Sequence, residues 1–394
     1  MSRGWLRAAA APAAAALLIA GCGSKPASAP ERAASAATPP QLAAAITTAA
    51  GTSWAIVVMG GSSSQDEGFW QLFARPAGAA RWRQVTPTGV ADNGGLVAGV
   101  TGPGSLVAGF RPSQDLSFSP LAATADSGAT WSAGGPVSPG LADVPDALAA
   151  GPGGRLLALT QGGSAQLGAH GGATWTKLAS SQSLARTAAG RACGVTGLTA
   201  AAFSSAGAAG APLLAGSCDR PGIAGIFALR GGTWQPAGPQ LPAPLKGRTV
   251  TVLRMATVGA RTGALLQSGA GPAASVLAAW SDDGGGHWQV SAPLRTGTAT
   301  VRSASFGPDG AAGLVLGRDQ NQARGVTLAG PGAPWRTLPA LPRWTATLAV
   351  GPAGRLDALT AHASSFGDWQ LPAGAAAWSS VQTMQVTIPY GSSG

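Results

Sequence analysis

Glutamate, tyrosine and histidine are almost missing: among 394 residues are two Glu (Glu31, Glu67), one Tyr (Tyr390) and three His (His170, His287, His362). Acid–base and metal-ligand chemistry draws on these side chains, so few catalytic constellations can be assembled. Charged residues are equally scarce, 10% of the chain where a soluble domain carries about 25%. That excludes a coiled coil or helical array, which needs periodic Glu, Lys and Leu. No run of about 18 continuous apolar residues follows the first twenty, which argues against a later membrane-spanning helix. Disorder is excluded by what is present: 45% apolar residues and 13 Trp, together with 60 Gly and 30 Pro.

The N-terminus begins with a charged-then-apolar pattern. Arg3 and Arg7 precede an Ala/Leu/Ile stretch from Ala8 to Ala20, the order of a secretory signal. The stretch ends in Ile19-Ala20-Gly21-Cys22, which resembles the lipobox of bacterial lipoproteins. The resemblance implies removal of residues 1–21, diacylation of Cys22 and attachment by lipid to the outer face of the bacterial cytoplasmic membrane. Residues 22–47, rich in Ala, Pro and Ser, read as a flexible tether, and residues 48–394 as the folded domain. Loss of Arg3 and Arg7 lowers the net charge from +10 to +8. The remaining basic residues are nearly all Arg and are scattered, as a GC-rich genome would encode them, so no nucleic acid partner is expected. Attraction to anionic headgroups or cell-wall polymers is the more accessible consequence. With Cys22 lipidated, Cys193 and Cys218 remain. An even remainder in an oxidising compartment predicts one disulfide, two buried free thiols being the alternative.

Internal repetition is the strongest signal. Thr124-Ala-Asp126-Ser-Gly128-Ala-Thr130-Trp131 and Ser281-Asp-Asp283-Gly-Gly285-Gly-His287-Trp288 share the spacing S/T-x-D-x-G-x-[T/H]-W. Both resemble the Asp-box, or BNR repeat, of sialidases, sortilin-like receptors and photosystem II assembly propellers. A degenerate copy, GAHGGATW at 168–175, carries His170 in the Asp position, and shorter remnants end at Trp82, Trp234, Trp335 and Trp378. The seven terminal Trp therefore stand at 82, 131, 175, 234, 288, 335 and 378, a mean spacing of about 49 residues, which is the length of a four-stranded propeller blade. Short apolar runs such as SLVAGF (105–110), RLLALT (155–160), VTVLRM (250–255) and RLDALT (355–360) lie between them, several after GPxG turns. The expectation is an all-β, seven-bladed β-propeller with Asp-box turns. In those turns Asp accepts backbone N–H bonds, Gly takes positive φ and Trp buries its ring under the hairpin. Only two strands fit before Trp82, and a surplus strand, Gln385 to Tyr390, follows Trp378. We therefore expect closure by strand exchange between the termini, with 385–390 as the inner strand of the first blade.

No catalytic site, metal site or cofactor is expected. Sialidases hold a substrate carboxylate with three Arg and use a Tyr–Glu nucleophile. Here Phe73-Ala-Arg75-Pro76 displaces the Arg by one position from their FRIP-like string, a shift that turns the side chain to the other face of a strand. Asp126 and Asp283 are engaged in turns, and each turn offers one carboxylate where calcium takes six or more oxygens. The expected role is a monomeric, non-catalytic binding or scaffold module for a protein or glycan ligand. The alternatives are a divergent sialidase-like glycoside hydrolase and an assembly or sensing factor for an envelope complex. Trp54, Trp70, Trp280, Trp344 and Trp369 fall outside the repeat. Among them Trp344, in Pro342-Arg343-Trp344, is the candidate for exposure, and Arg75, Arg81 and Arg83 are a candidate surface for an acidic partner.

Overall fold

The computed structural model describes residues 42–60, 68–87, 95–110, 121–133, 145–160, 162–172, 174–205, 210–318 and 322–388. Cys22, Tyr390 and most of the expected tether lie outside these residues. Seven antiparallel sets of four strands follow one another along the chain. Their inner strands are Ala44–Thr47, Leu96–Gly102, Pro145–Gly151, Val195–Phe203, Val250–Val258, Thr300–Phe306 and Thr345–Val350. Their outermost strands are Arg83–Gln84, Ser132–Ala133, Thr174–Ser180, Thr233–Pro236, Gln289–Val290, Arg336–Thr337 and Ser379–Gln385. The protein is an all-β propeller of seven blades.

Alternation along the strands explains how so few large side chains fill it. Successive residues point to opposite faces of a strand, and a blade has another blade on each face, so its middle strands read as unbroken apolar runs rather than alternating ones. In Arg155–Thr160, Leu156 and Ala158 pack toward blade 2 while Leu157 and Leu159 pack toward blade 4. The core is accordingly seven separate clusters, one at each blade–blade seam.

Each repeat-terminal Trp enters the seam between its own blade and the preceding one. Trp131 packs with Trp54 and Leu72 of blade 1, and Trp175 with Val107 and Leu121 of blade 2. The indole N–H groups of Trp288, Trp335 and Trp378 donate to the carbonyls of Ala237 (2.6 Å), Ala292 (2.8 Å) and Pro339 (3.5 Å), all in the preceding blade. The ring is thus a plug between blades, not only a filler beneath its own hairpin, which explains why the degenerate copies keep Trp and lose Asp. Gly128 belongs to the same contact: at φ +82 it tolerates left-handed backbone, and a Cβ there would stand 2.5 Å from Val85 of blade 1.

The expected strand exchange does not occur. Residues 44–47, assigned above to the tether, supply blade 1 with its own inner strand, paired antiparallel to Ser53–Met59. Its other edge runs parallel to the inner strand of blade 6, with Ile46 opposite Phe306 and the Ala45 N–H donating to Ser305 Oγ at 2.9 Å. Gln385 instead ends the outermost strand of blade 7, opposite Ser365. Residues 386–388 continue past it, and Val386 and Ile388 pack into the seam between blades 7 and 1 beside Met59, Phe73 and Trp82. Residues 389 and 390 lie outside the described segments. The physical reason is that blade 1 already owns four strands, so the C-terminal segment is left to cover an apolar seam.

Side chains close this seam. Trp82 and Gln382 exchange two bonds of 2.8 Å, Trp82 N–H to Gln382 Oε1 and Gln382 Nε2 to the Trp82 carbonyl. Phe73 stacks on Phe366 at 4.0 Å, and the buried Arg75 guanidinium meets Asp357 at 2.8 Å.

Two short helices, Ser181–Ala185 and Ala188–Cys193, connect blades 3 and 4, with Ser180 and Thr187 as N-caps. At five and six residues they are too short to leave a helical period in the sequence. Cys193 is joined to Cys218 in a buried disulfide that ties the second helix to the end of the strand Pro212–Cys218. A loop of this length closed in the unfolded chain corresponds to about 3 kcal/mol. Cys193→Ala/Cys218→Ala should therefore lower stability by about that amount in urea titrations, and reduction of the native protein should give the same loss.

Candidate functional site

The two ends of the ring carry different chemistry. At the end holding the turns between third and fourth strands, carboxylates are used for structure. Asp126 accepts from the Thr130 backbone N–H (2.9 Å), the Thr130 hydroxyl (2.6 Å) and the Thr124 hydroxyl (2.8 Å). Asp283 accepts from the His287 N–H (2.8 Å), the Gly286 N–H (2.9 Å) and Ser281 (2.9 Å), and its second oxygen meets His287 Nδ1 at 2.5 Å. The first residue of the motif closes the turn as well, since the Gly128 and Gly285 N–H groups donate to Thr124 Oγ1 (2.9 Å) and Ser281 Oγ (2.7 Å). Bonds from Thr130, for Asp126, and foremost from the His287 N–H, for Asp283, hold both carboxyls well below the usual carboxylate range. Groups this strongly committed to staying ionised are poor proton donors. The plug and the staple can be separated: Trp288→Ala should cost about 3 kcal/mol, and Asp283→Ala less than half of that, as read by denaturant midpoints at constant slope.

At the opposite end, where the inner strands begin, the backbone is irregular in a repeating way. Asp146, Thr199, Leu253, Arg302 and Ala346 are each skipped in the pairing of the inner strands of blades 3 to 7. These are β-bulges, which break the ladder and re-aim side chains. Asp146, Arg302 and Ala346 each stand five residues before the Gly of a GPxG turn (Gly151, Gly307, Gly351), so the bulge is a property of the repeat.

Three of these positions, Asp146, Thr199 and Leu253, line a cavity of about 750 Å³, counting its open mouth, between the inner strands of blades 1 to 5. Its wall mixes apolar side chains, among them Leu42, Ile56, Trp70, Leu96 and Met255, with a larger share of polar surface. The Thr199 hydroxyl is committed to the Val252 carbonyl at 2.5 Å, tying blade 4 to blade 5. Arg254, beside the bulge at Leu253, is the cation of this wall. It is half-buried and has no hydrogen-bond or ion-pair partner among the described residues. Loss of water lowers its pKa to about 10.

The structure separates the residues proposed as a basic surface. Arg75 is buried in the seam, its guanidinium 2.8 Å from Asp357 and 5.0 Å from the centre of the Trp82 ring, and does not belong to a binding surface. Arg83 spans to blade 2, donating to the carbonyls of Asp126 (3.2 Å) and Ser127 (2.9 Å), while Arg81 is exposed. Trp344 is half-buried rather than exposed. It stacks on the exposed ring of His362 at 4.1 Å, with Arg343 4.8 Å from its centre, and holds φ +66, a strained value for an aromatic residue. Trp54, Trp70 and Trp280 are core, and Trp369 is partly buried in the blade 6–7 seam. The sequence alone does not show the cavity, because the bulged positions, though three stand in register with GPxG turns, hold unlike residues. Its one signal was a charge inside an apolar strand, as with Arg254 in VTVLRM.

No protein-family profile and no curated protein matches the chain. Solved β-propellers do. YCF48 from Cyanidioschyzon merolae is 13% identical over 80% of this chain and 92% of its own, with a TM-score of 0.43. An ulvan lyase of the PL25 polysaccharide lyase family is 15% identical over 75% and 80%, TM-score 0.43. The propeller domain of the trilobed protease from Pyrococcus furiosus is 8% identical over 86% and 98%, TM-score 0.47.

Proposed function

We propose that this protein is a non-catalytic extracytoplasmic lipoprotein, held to the outer face of the cytoplasmic membrane by lipid on Cys22, that binds a ligand at the end of the propeller where the inner strands begin. The observation that carries this reading is the division of labour between the two ends. One end commits its carboxylates to turns, and the other gathers bulged residues and Arg254, unpaired among the described residues, around a cavity. The lipobox string and the cysteine pairing outside it support the location. The reading is tested with a photo-crosslinking residue placed at Val97 in the cavity wall or at Ala353 in a GPxG turn, in the full chain in membranes. Adducts from position 97 alone support it. Equal labelling from both, or turnover of a fluorogenic glycoside panel that is lost in Asp146→Asn, would overturn it.

A further inference from the structure

Arg254 is a half-buried guanidinium on a cavity wall, with no hydrogen-bond or ion-pair partner among the described residues. Other guanidiniums are paired: buried Arg75 has Asp357, exposed Arg83 has two carbonyls, and half-buried Arg230 donates to the Gly284 carbonyl at 2.8 Å. A guanidinium partly withdrawn from water, with no partner among the described residues, carries a desolvation cost that an anionic ligand would remove. The wall around it narrows the class of that ligand. Leu42, Ile56, Leu96, Leu148 and Met255 offer no hydrogen bonds, and the Thr199 hydroxyl is already donated to Val252. A second anionic group would meet no second cation on the wall and would face Asp146. The planar fork of Arg matches a carboxylate in two parallel bonds.

We propose that the cavity between blades 1 and 5 is a binding site for a small amphipathic monocarboxylate, its carboxylate on Arg254 and its apolar body along Leu42, Leu96 and Met255. This deepens the reading of the inner-strand end as the binding face and rests on it. Asp146 acts as a like-charge limit on how tightly the anion is held. Arg302, at the corresponding bulge of blade 6, is half-buried and lies outside the cavity wall, which makes it the internal control.

The test uses the full chain and calorimetric titration with 4-phenylbutyrate, its neutral amide 4-phenylbutyramide, and N-acetylneuraminate. The expected result is binding of the carboxylate at least tenfold tighter than the amide. That preference should be lost in Arg254→Met, kept within about twofold in Arg302→Met, and strengthened two- to fivefold in Asp146→Asn, in proportion to Coulomb terms at a partly wet site. Equal affinity for acid and amide in the unaltered protein, an unchanged preference in Arg254→Met, or tighter binding of the sugar acid would each overturn the proposal. The acid-to-amide ratio of the unaltered chain needs no variant to fold. Absence of carboxylate binding with position-97 crosslinking intact would sink this inference and leave the binding-face reading standing.

Discussion

Arg75→Met should destabilise the propeller by about 3–5 kcal/mol, the cost of breaking a buried ion pair from one side. The guanidinium lies in the seam that joins the last blade to the first, 2.8 Å from Asp357, and both side chains are almost wholly withdrawn from solvent. Among the described residues, removing it leaves Asp357 with the Arg355 Nε at 3.2 Å, and with the negative charge of a second buried carboxylate, Asp368, acting on it. It also takes a cation from the face of Trp82, the plug of this seam. The double variant Arg75→Met/Asp357→Leu should recover most of the loss, because replacing a whole buried pair by apolar groups is close to neutral. Denaturant titration of the two singles and the double gives the cycle. Equal losses in the single and double variants would show that the pair is not what holds the seam.

The second large effect is a pH dependence from Asp368. Its carboxyl is fully buried, and neither oxygen has a hydrogen bond of good geometry among the described residues. Burial first, and then the negative charge of Asp357, raise its pKa from 3.8 to about 7, and Arg75, Arg355 and the Gln370 side chain offset this only in part. The folded state therefore binds this proton more tightly than the unfolded one. Stability from this group is fully present below about pH 4, falls as pH rises from about 4 to about 7, and is flat above. A shift of this size separates the two charge states by about 4 kcal/mol. Asp368→Asn, neutral at every pH but with a buried amide to satisfy, should recover about 2 kcal/mol of it at pH 8 and nothing near pH 4. Comparing the two chains at each pH cancels the opposite low-pH loss expected from Asp126 and Asp283, whose carboxyls are depressed. Parallel stability curves for the two chains between pH 4 and 8 would refute the assignment.

Both effects reside in a seam whose one sequence trace is a charge out of place. RLLALT in blade 3 and RLDALT in blade 7 are the same strand of the repeat, with Leu157 at the position of Asp357. Leu157 is buried among apolar groups, and Asp357 is just as buried but answers Arg75, 282 positions away in sequence. A charge in a strand sandwiched by two blades demands a partner, yet nothing local says which residue supplies it. The inner strand Ala44–Thr47 was hidden for a related reason. Its sequence, AAIT, has little strand preference and follows an Ala/Pro/Ser stretch, and it is ordered by pairing with residues 53–56 and 306 rather than by its own composition.

The sequence by itself determined the blade count, the period and the turn chemistry. A plug of Trp and a turn of Thr or Ser, Asp and Gly act within one repeat and recur with it, so they can be read from spacing alone. It also carried the pairing of Cys193 with Cys218, which elimination and compartment suggested. Only the tertiary structure decided how the ring closes, where Arg75 goes and what Arg254 faces. Those outcomes depend on contacts between the first and last blades, and on which residues the inner strands of blades 1 to 5 bring to one cavity wall. Both are set by packing among strands far apart in the chain, where no local period can record them.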